Sequence, residues 1–318
     1  MENKFIKITD KNKWRDLLEK VLFKTFFHYI EWEEFLESQF KWLRFERYIY
    51  EDKALLSMAM AGDKLISHPF CEYGGHLPLV ENIDGEKFKQ DLFSEFKNHI
   101  KISFHPRLAS YFQNGARSVL VPSGRVSYFA EGATDLRKTT RHEIEKAKNN
   151  NIEIKKCNTK EELREFYHLH LKNAKRHKIP AYPCSFFEYF NDSKDSEIIL
   201  AKKDGKTIAG SVFLLYDKFA HYFHNAGDPK YKNLGANYFI LWNQLQRYGD
   251  KVFDFGGTRV GSPLQIFKEG WGGKEYPIYE LTNSEGGRPG LGILRNAFGI
   301  LPLFLIEKLS PYLLKYKL

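Results

Sequence analysis

Apolar residues recur three and four apart in KNKWRDLLEKV (Lys11–Val21) and in YIEWEEFLESQFKWL (Tyr29–Leu43), which predicts two amphipathic helices near the start of the chain. From Tyr48 the pattern changes. YIYEDKALLSMAMAGDKLISHPF reads as a strand, a Gly62-Asp63 turn and a second strand. The glycine-bearing CEYGGHLP follows, and then an amphipathic helix in GEKFKQDLFSEFKNHI (Gly85–Ile100). A similar order returns later. Ser196–Gly227 reads as three strands with Asp204-Gly205 as a hairpin turn; a polar glycine loop (DPKYKNLGA), a helix (NYFILWNQLQRYG) and a strand (KVFDFGG) complete it. Strand, hairpin, strand, glycine loop and helix thus occur twice, which predicts an internal duplication. Between the units, TDLRKTTRHEIEKAKNNNIEIKKC (Thr134–Cys157) reads as a basic helix, ended by its asparagines, and a strand. The tail from Gly292 is Leu-rich, with Lys and Arg at its edges. It is expected to dock on the core as a helix, with an interfacial membrane contact as the alternative.

Composition narrows the class. A length of 318 residues suggests about two domains. An aromatic share of 16% is high and fits both a well-filled core and pockets for flat or apolar ligand parts. The net charge of +9 favours anionic partners. Cys71, Cys157 and Cys184 form no CxxC pair, which argues against a disulfide framework or structural zinc and for a reducing compartment. No apolar leader opens the chain, and no run approaches the ~20 apolar residues of a spanning helix. A cytoplasmic protein is expected, with the inner face of the membrane as the place of any peripheral contact.

The densest chemistry lies in FDFGGTRVGSPLQIFKEGWGGK (Phe253–Lys274), where glycines surround Arg259 and Lys268. Glycine is kept where φ is positive or where something must approach closely. The stretch therefore reads as a site loop or a chain of tight turns. In it Gly256, Gly257 and Thr258 admit a ligand, while Arg259 and Lys268 meet an anion. A second candidate is HYFHNAGDPKYKNLGANYF. Alternation puts Tyr222 and His224 on one strand face and His221 and Phe223 on the other. The glycine loop then opens a helix, whose free N–H groups suit an anion. Lys232–Asn237 is a weak relative of the Q/R-x-x-G-x-G/A loop that holds pyrophosphate in acyl-CoA transferases, which makes Gly235, Ala236 and Asn237 candidate phosphate binders. The histidines His168, His170, His177, His221 and His224 lack ligand spacing, so they are read as core or surface residues and no metal is expected. Nucleophile elbow, Walker loop and dinucleotide fingerprint are all absent. What remains is chemistry by positioning and charge stabilisation.

In order, LISHPFCEYGG, RKTTRHEIEKAKNNNIEI, HYFHNAG, FDFGG and FKEGWGG resemble the Fem-type peptidyltransferases, which are built from two GNAT-like halves. The ending LPLFLIEKLSPYLLKY is similar to tails of Fem-related proteins found with exopolysaccharide and capsule assembly. The resemblance covers nearly the whole chain. It implies an α/β (α+β) fold with mixed sheets flanked by helices: two tandem GNAT-like halves over residues 1–135 and 136–290, and a helical tail over 291–318. It also implies acyl transfer, in which an acceptor amine attacks an activated ester or thioester to form an amide on a cell-envelope or polysaccharide precursor. Lys268 matches a family lysine that steadies the tetrahedral intermediate and the donor's phosphate-rich end, and Phe267 matches its aromatic neighbour.

Tyr222 and His224 fall where the family lines its acceptor channel, usually with two tyrosines; His224 departs from that pattern and stands as a candidate base. Asn225 and Tyr73 join the lining, and Arg141 matches the basic helix between the halves. The expected donor is aminoacyl-tRNA, with acetyl-CoA or another acyl-CoA as the alternative and no tightly bound cofactor. The expected acceptor is a nucleotide- or lipid-linked sugar or peptide, and DNA is not an expected partner. A reading of another class is a non-catalytic protein that binds glycan or a membrane surface through a transferase fold.

Overall fold

ALLSMAMA, SEIILAKK and KTIAGSVFLLY are apolar at consecutive rather than alternate positions, the pattern of strands covered on both faces. They lie within a sheet that helices flank. The computed structural model describes residues 4–112, 115, 119–132, 135–283 and 298–317. The first half contains β1 (Phe5–Lys7), α1 (Lys11–Leu18), α2 (Ile30–Gln39), β2 (Arg44–Tyr50), β3 (Ala54–Ala61), β4 (Lys64–Ile66), β5 (His76–Pro78), α3 (Gly85–Glu95), β6 (His99–Phe104), α4 (Pro106–Ala109) and β7 (Val121–Glu131). The second contains α5 (Lys138–Asn149), β8 (Glu153–Lys156), α6 (Lys160–His177), α7 (Cys184–Asp192), β9 (Ser196–Lys203), β10 (Lys206–Tyr216), β11 (Phe219–Gly227), α8 (Ala236–Arg247), β12 (Val252–Arg259), α9 (Pro263–Glu269) and β13 (Lys274–Thr282). A last helix, α10, spans Leu303–Leu313.

All the described strands join one mixed sheet in the order β1-β2-β3-β4-β6-β13-β7-β12-β11-β10-β9-β8, with β5 branching from β3. The duplication is visible in its connections. A helical crossover links the parallel pair β4 and β6 through α3, and another links β11 and β12 through α8. The halves also exchange strands: β7 pairs with β12 of the second half, and β13 inserts between β6 and β7 of the first. The expected boundary at 135/136 falls between β7 and α5, whereas 290/291 and the start of the tail lie outside the described residues.

One core lies around Trp32, Phe166, Phe186 and Phe190, and another around Ile240, Phe253, Phe255 and Trp271. Within the first half α2 is pinned to β2 and β3 by a buried ion pair. Arg47 Nε donates to Glu33 Oε2 at 2.6 Å, and Ser57 Oγ donates to Glu33 Oε1 at 2.5 Å. Burial raises the Glu33 carboxyl to about 7 even beside Arg47.

Several expectations need correction. The helix expected to run to Leu43 ends at Gln39, because Glu37 Oε1 accepts the Phe45 N–H at 2.6 Å and the chain turns into β2. The reading of a single strand through YIYEDKALL fails at Glu51 and Asp52, whose positive φ values of 44° and 54° make a tight turn between β2 and β3. The polar loop after β11 holds a short 3-10 helix over Pro229–Leu234. In Phe253–Lys274 the expected run of turns contains a helix, α9: Ser262 caps it by accepting from Gln265 N, and Pro263 opens it. The tail helix α10 buries Ile306 and packs on α6, with Ser310 Oγ accepting from Ala181 N at 2.9 Å.

Candidate active site at a split between parallel strands

β11 and β12 run parallel but pair only over Phe219–His221 and Val252–Asp254. Beyond that, β11 stays with β10 and β12 follows β7, so the sheet opens between them. Register slips accompany the opening. The β10–β11 ladder shifts at Val212/Phe213, leaving Phe223 as a bulge, and the β7–β12 ladder shifts between Asp254 and Gly257. Gly256 sits there with φ +74°, and a Cβ on it would lie 2.6 Å from Glu72 Oε2 and 3.0 Å from Tyr222 O. Only glycine fits that approach.

Charged side chains converge on the split. α9 directs Lys268 back to it, and the ammonium donates to Gly256 O at 2.7 Å and Gly257 O at 3.1 Å, two carbonyls beside the bulge in β12. Lys268 is only 3% exposed. His221 Nε2 donates to Glu72 Oε2 at 2.9 Å and lies 3.9 Å from Asp254 Oδ2. Asp254 Oδ1 accepts from Ser127 Oγ at 2.8 Å, from Tyr73 OH at 3.2 Å and from Gly256 N at 2.7 Å. At the rim, Arg125 Nη2 stands 3.9 Å from Glu72 Oε1.

Burial and neighbouring charge compete at each group. Burial lowers the Lys268 pKa, against the opposing pull of Glu72 and Asp254. Burial alone would raise Glu72, but the His221 hydrogen bond and the charges of Lys268 and Arg125 outweigh it and hold the carboxyl below its ordinary value. Burial would likewise lower His221, yet Asp254 and the bond to Glu72 raise it. Asp254 is pushed up, chiefly by burial. The result is an ionised carboxylate, Glu72, in an opening backed by cations.

A cavity of about 250 Å³ lies alongside, lined among others by Asn225, Lys232, Gly235, Ala236, Asn237 and Phe267. Gly235 is the N-cap of α8 with φ +72° and offers no side-chain cap. The first-turn N–H groups of α8 therefore have no capping side chain, at the end of the helix where its dipole is positive. A Cβ at Gly235 would collide with the Glu143 carbonyl of α5, so glycine is also what lets α5 and α8 pack.

The structure brings Tyr73, Gly256, Gly257 and Lys268 together at the split, and Asn225, Gly235, Ala236, Asn237 and Phe267 around the cavity. Thr258 is buried, and its Oγ1 pairs with Ser262 Oγ at 3.0 Å, which ties β12 to the start of α9. Tyr222 is buried against Phe213. The shared face expected for Tyr222 and His224 is wrong. The bulge at Phe223 reverses the alternation, so His224 pairs with Val212 and turns to α6, where its Nε2 lies 3.1 Å from His170 Nδ1. Arg259 is exposed at the end of β12. Arg141 is exposed on α5 and pairs with Asp135 at 2.9 Å.

Sequence reasoning passed over Glu72, Asp254 and Arg125, and read His221 as a core or surface residue. A signal was present: Asp254 interrupts the apolar strand VFDFGG, and a charge buried in such a strand demands partners. Among the described residues, no group of three or more His, Cys, Asp or Glu is placed to hold a metal ion.

Residues 134–269 match the family model of the acetyltransferase (GNAT) domain. No curated protein matches the sequence. Among solved structures, FemX superposes with a TM-score of 0.59 at 12% identity, over 87% of this chain and 97% of that one. L-PGS from Bacillus licheniformis gives 0.58 at 14% identity, over 92% and 98%. A conserved protein of unknown function from Bacteroides thetaiotaomicron gives 0.57 at 13% identity, over 88% and 99%. These likenesses run through both halves of the sheet. The chain therefore shares the fold of FemX and L-PGS, and its stretch from α5 to α9 is similar to the GNAT acetyltransferase domain.

Proposed function

We propose that this protein transfers an aminoacyl or acyl group to an amine of a cell-envelope or polysaccharide precursor, with aminoacyl-tRNA as donor. The observation that carries the reading is the buried Lys268 ammonium at the mouth of the strand split, facing the carboxylate of Glu72 across Gly256. The phosphate end of the donor would rest on the uncapped N-terminus of α8, beside Lys232. Its acyl carbon would enter the split near Gly256 and Gly257.

The acceptor nitrogen attacks that carbon, forming the C–N bond and an oxyanion. Two of the three Lys268 protons are held by backbone carbonyls, which leaves one donor and the charge to meet the oxyanion. Glu72 takes the proton that the amine sheds, and His221 and Arg125 orient it. Collapse then breaks the ester C–O bond, and the departing ribose oxygen takes the proton that Glu72 accepted. In this reading Lys268 and Glu72 carry the roles, and His224, which meets His170 beyond the bulge, takes none.

An acyl-CoA donor is the second reading, favoured by the compact cradle of Gly235, Ala236 and Asn237 beside the cavity. Binding of a charged tRNA pool and of acetyl-CoA, measured at one fixed salt concentration, separates the two. Tight binding of charged tRNA, weakened by Lys268→Ala, supports the first reading, and binding of acetyl-CoA alone supports the second. Binding of neither would leave the non-catalytic reading standing.

A further inference from the structure

α10 turns one face to α6 and another to solvent. Ile300, Phe304, Lys308, Tyr312 and Tyr316 follow one another at intervals of four and are all exposed, Ile300 at 83% and Tyr312 at 74%. Side chains four apart on a helix align along one stripe, which on α10 joins Phe304, Lys308 and Tyr312; exposed Leu309 widens it, Ile300 stands just before the helix and Tyr316 on the 3-10 turn after it. Of the twelve exposed large hydrophobic residues among those described, five lie between residues 300 and 316. An apolar patch this concentrated marks a surface that is covered in use.

Charge indicates what covers it. Lys308 stands within the stripe, and Lys315 lies at its end with Nζ 4.9 Å from the Tyr316 ring centre. Lys178, just past the end of α6, flanks it, and its side chain comes within 3.3 Å of a Cβ placed on Gly299. Glu307, the one carboxylate on α10, is engaged by Tyr167 of α6. Glu307 is itself exposed, so the exposed face is apolar and aromatic, with its lysines outnumbering the one carboxylate.

We propose that α10 and the turn before it dock the protein on an anionic lipid bilayer surface. Its eleven residues are too few to span, since a span needs about 20, so the helix lies in the plane of the interface. Ile300, Phe304 and Leu309 enter the outer acyl region. Tyr312 and Tyr316 sit at headgroup depth, and Lys308 and Lys315 extend their amines to lipid phosphates. A second copy of the chain fits less well, because it would bring two lysine-bearing stripes and two +9 charges together. The inference does not depend on the acyl-transfer reading.

Cosedimentation of the full chain with vesicles tests it, using equal parts phosphatidylglycerol and phosphatidylcholine against phosphatidylcholine alone. The wild type binds the anionic vesicles, and added salt weakens the binding. Phe304→Ser combined with Tyr312→Ser lowers partitioning roughly tenfold on either lipid. Lys308→Gln and Lys315→Gln each lower it about fivefold on anionic vesicles and leave it unchanged on neutral ones. All four positions are exposed, and unchanged melting curves verify that the variants fold. Failure of the wild type to bind anionic vesicles overturns the proposal. So does full binding by the aromatic double variant, or a dimer in sedimentation equilibrium that this variant dissolves.

Discussion

Among the buried charge clusters of the described residues, two are built on different terms. In the first half, Glu33 and Arg47 form a closed pair, with Ser57 on the remaining carboxylate oxygen and apolar packing around it. At the strand split, Glu72, His221, Asp254 and Lys268 form an open set: Glu72 is 17% exposed, and Lys268 donates to backbone carbonyls rather than to a carboxylate. A closed pair spends its charges on each other and serves the fold. An open set holds charge in reserve for something that enters. Burial identifies neither by itself; the arrangement of partners does.

The comparison breaks most readily at the closed pair. Arg47→Ala leaves a buried carboxylate without its cation and costs about 3–5 kcal/mol of stability in urea unfolding, while donor affinity per folded molecule is unchanged. The loss is larger at pH 8 than at pH 5, where Glu33 can take up a proton. At the open set the order of effects inverts. Lys268→Met lowers kcat/KM by about 10²–10³, and its unfolding midpoint falls less than that of Arg47→Ala.

The pH dependence of stability sharpens the contrast. Glu33 is raised from 4.5 unfolded to about 7 folded. Its stabilising contribution is therefore complete below about pH 4.5 and is lost as pH rises through about 7, an effect of about 3 kcal/mol. Glu33→Gln flattens that slope between pH 5 and 8 in melting curves. The smallest effect on stability is at Gly256. Gly256→Ala meets Glu72 Oε2 and a positive φ, which costs on the order of 1–3 kcal/mol and abolishes transfer if the backbone shifts.

The sequence made some of this legible. Both crossover units, the glycine that caps α8, and Lys268 among its glycines were marked by local patterns. The capping Ser262-Pro263-Leu264-Gln265 was just as local and could have announced α9. The split was not legible in the same way. It depends on register slips at Phe223 and near Gly256, which only cross-strand pairing reveals, and one slipped residue moved His224 to the opposite face. Glu72 meets His221 across 149 residues of chain, so no local window could join them.

The exchange of β7 and β13 bears on how the protein is made. Until β13 is synthesised, β6 and β7 lack the strand that separates them, and β7 waits also for β12. At ribosomal rates the interval between Glu131 and Thr282 lasts roughly ten to thirty seconds. Throughout it the first half carries bare strand edges, a period in which chaperones would act and aggregation would begin. A break in the chain between the halves, by contrast, would leave the finished molecule in one piece, laced through its own sheet.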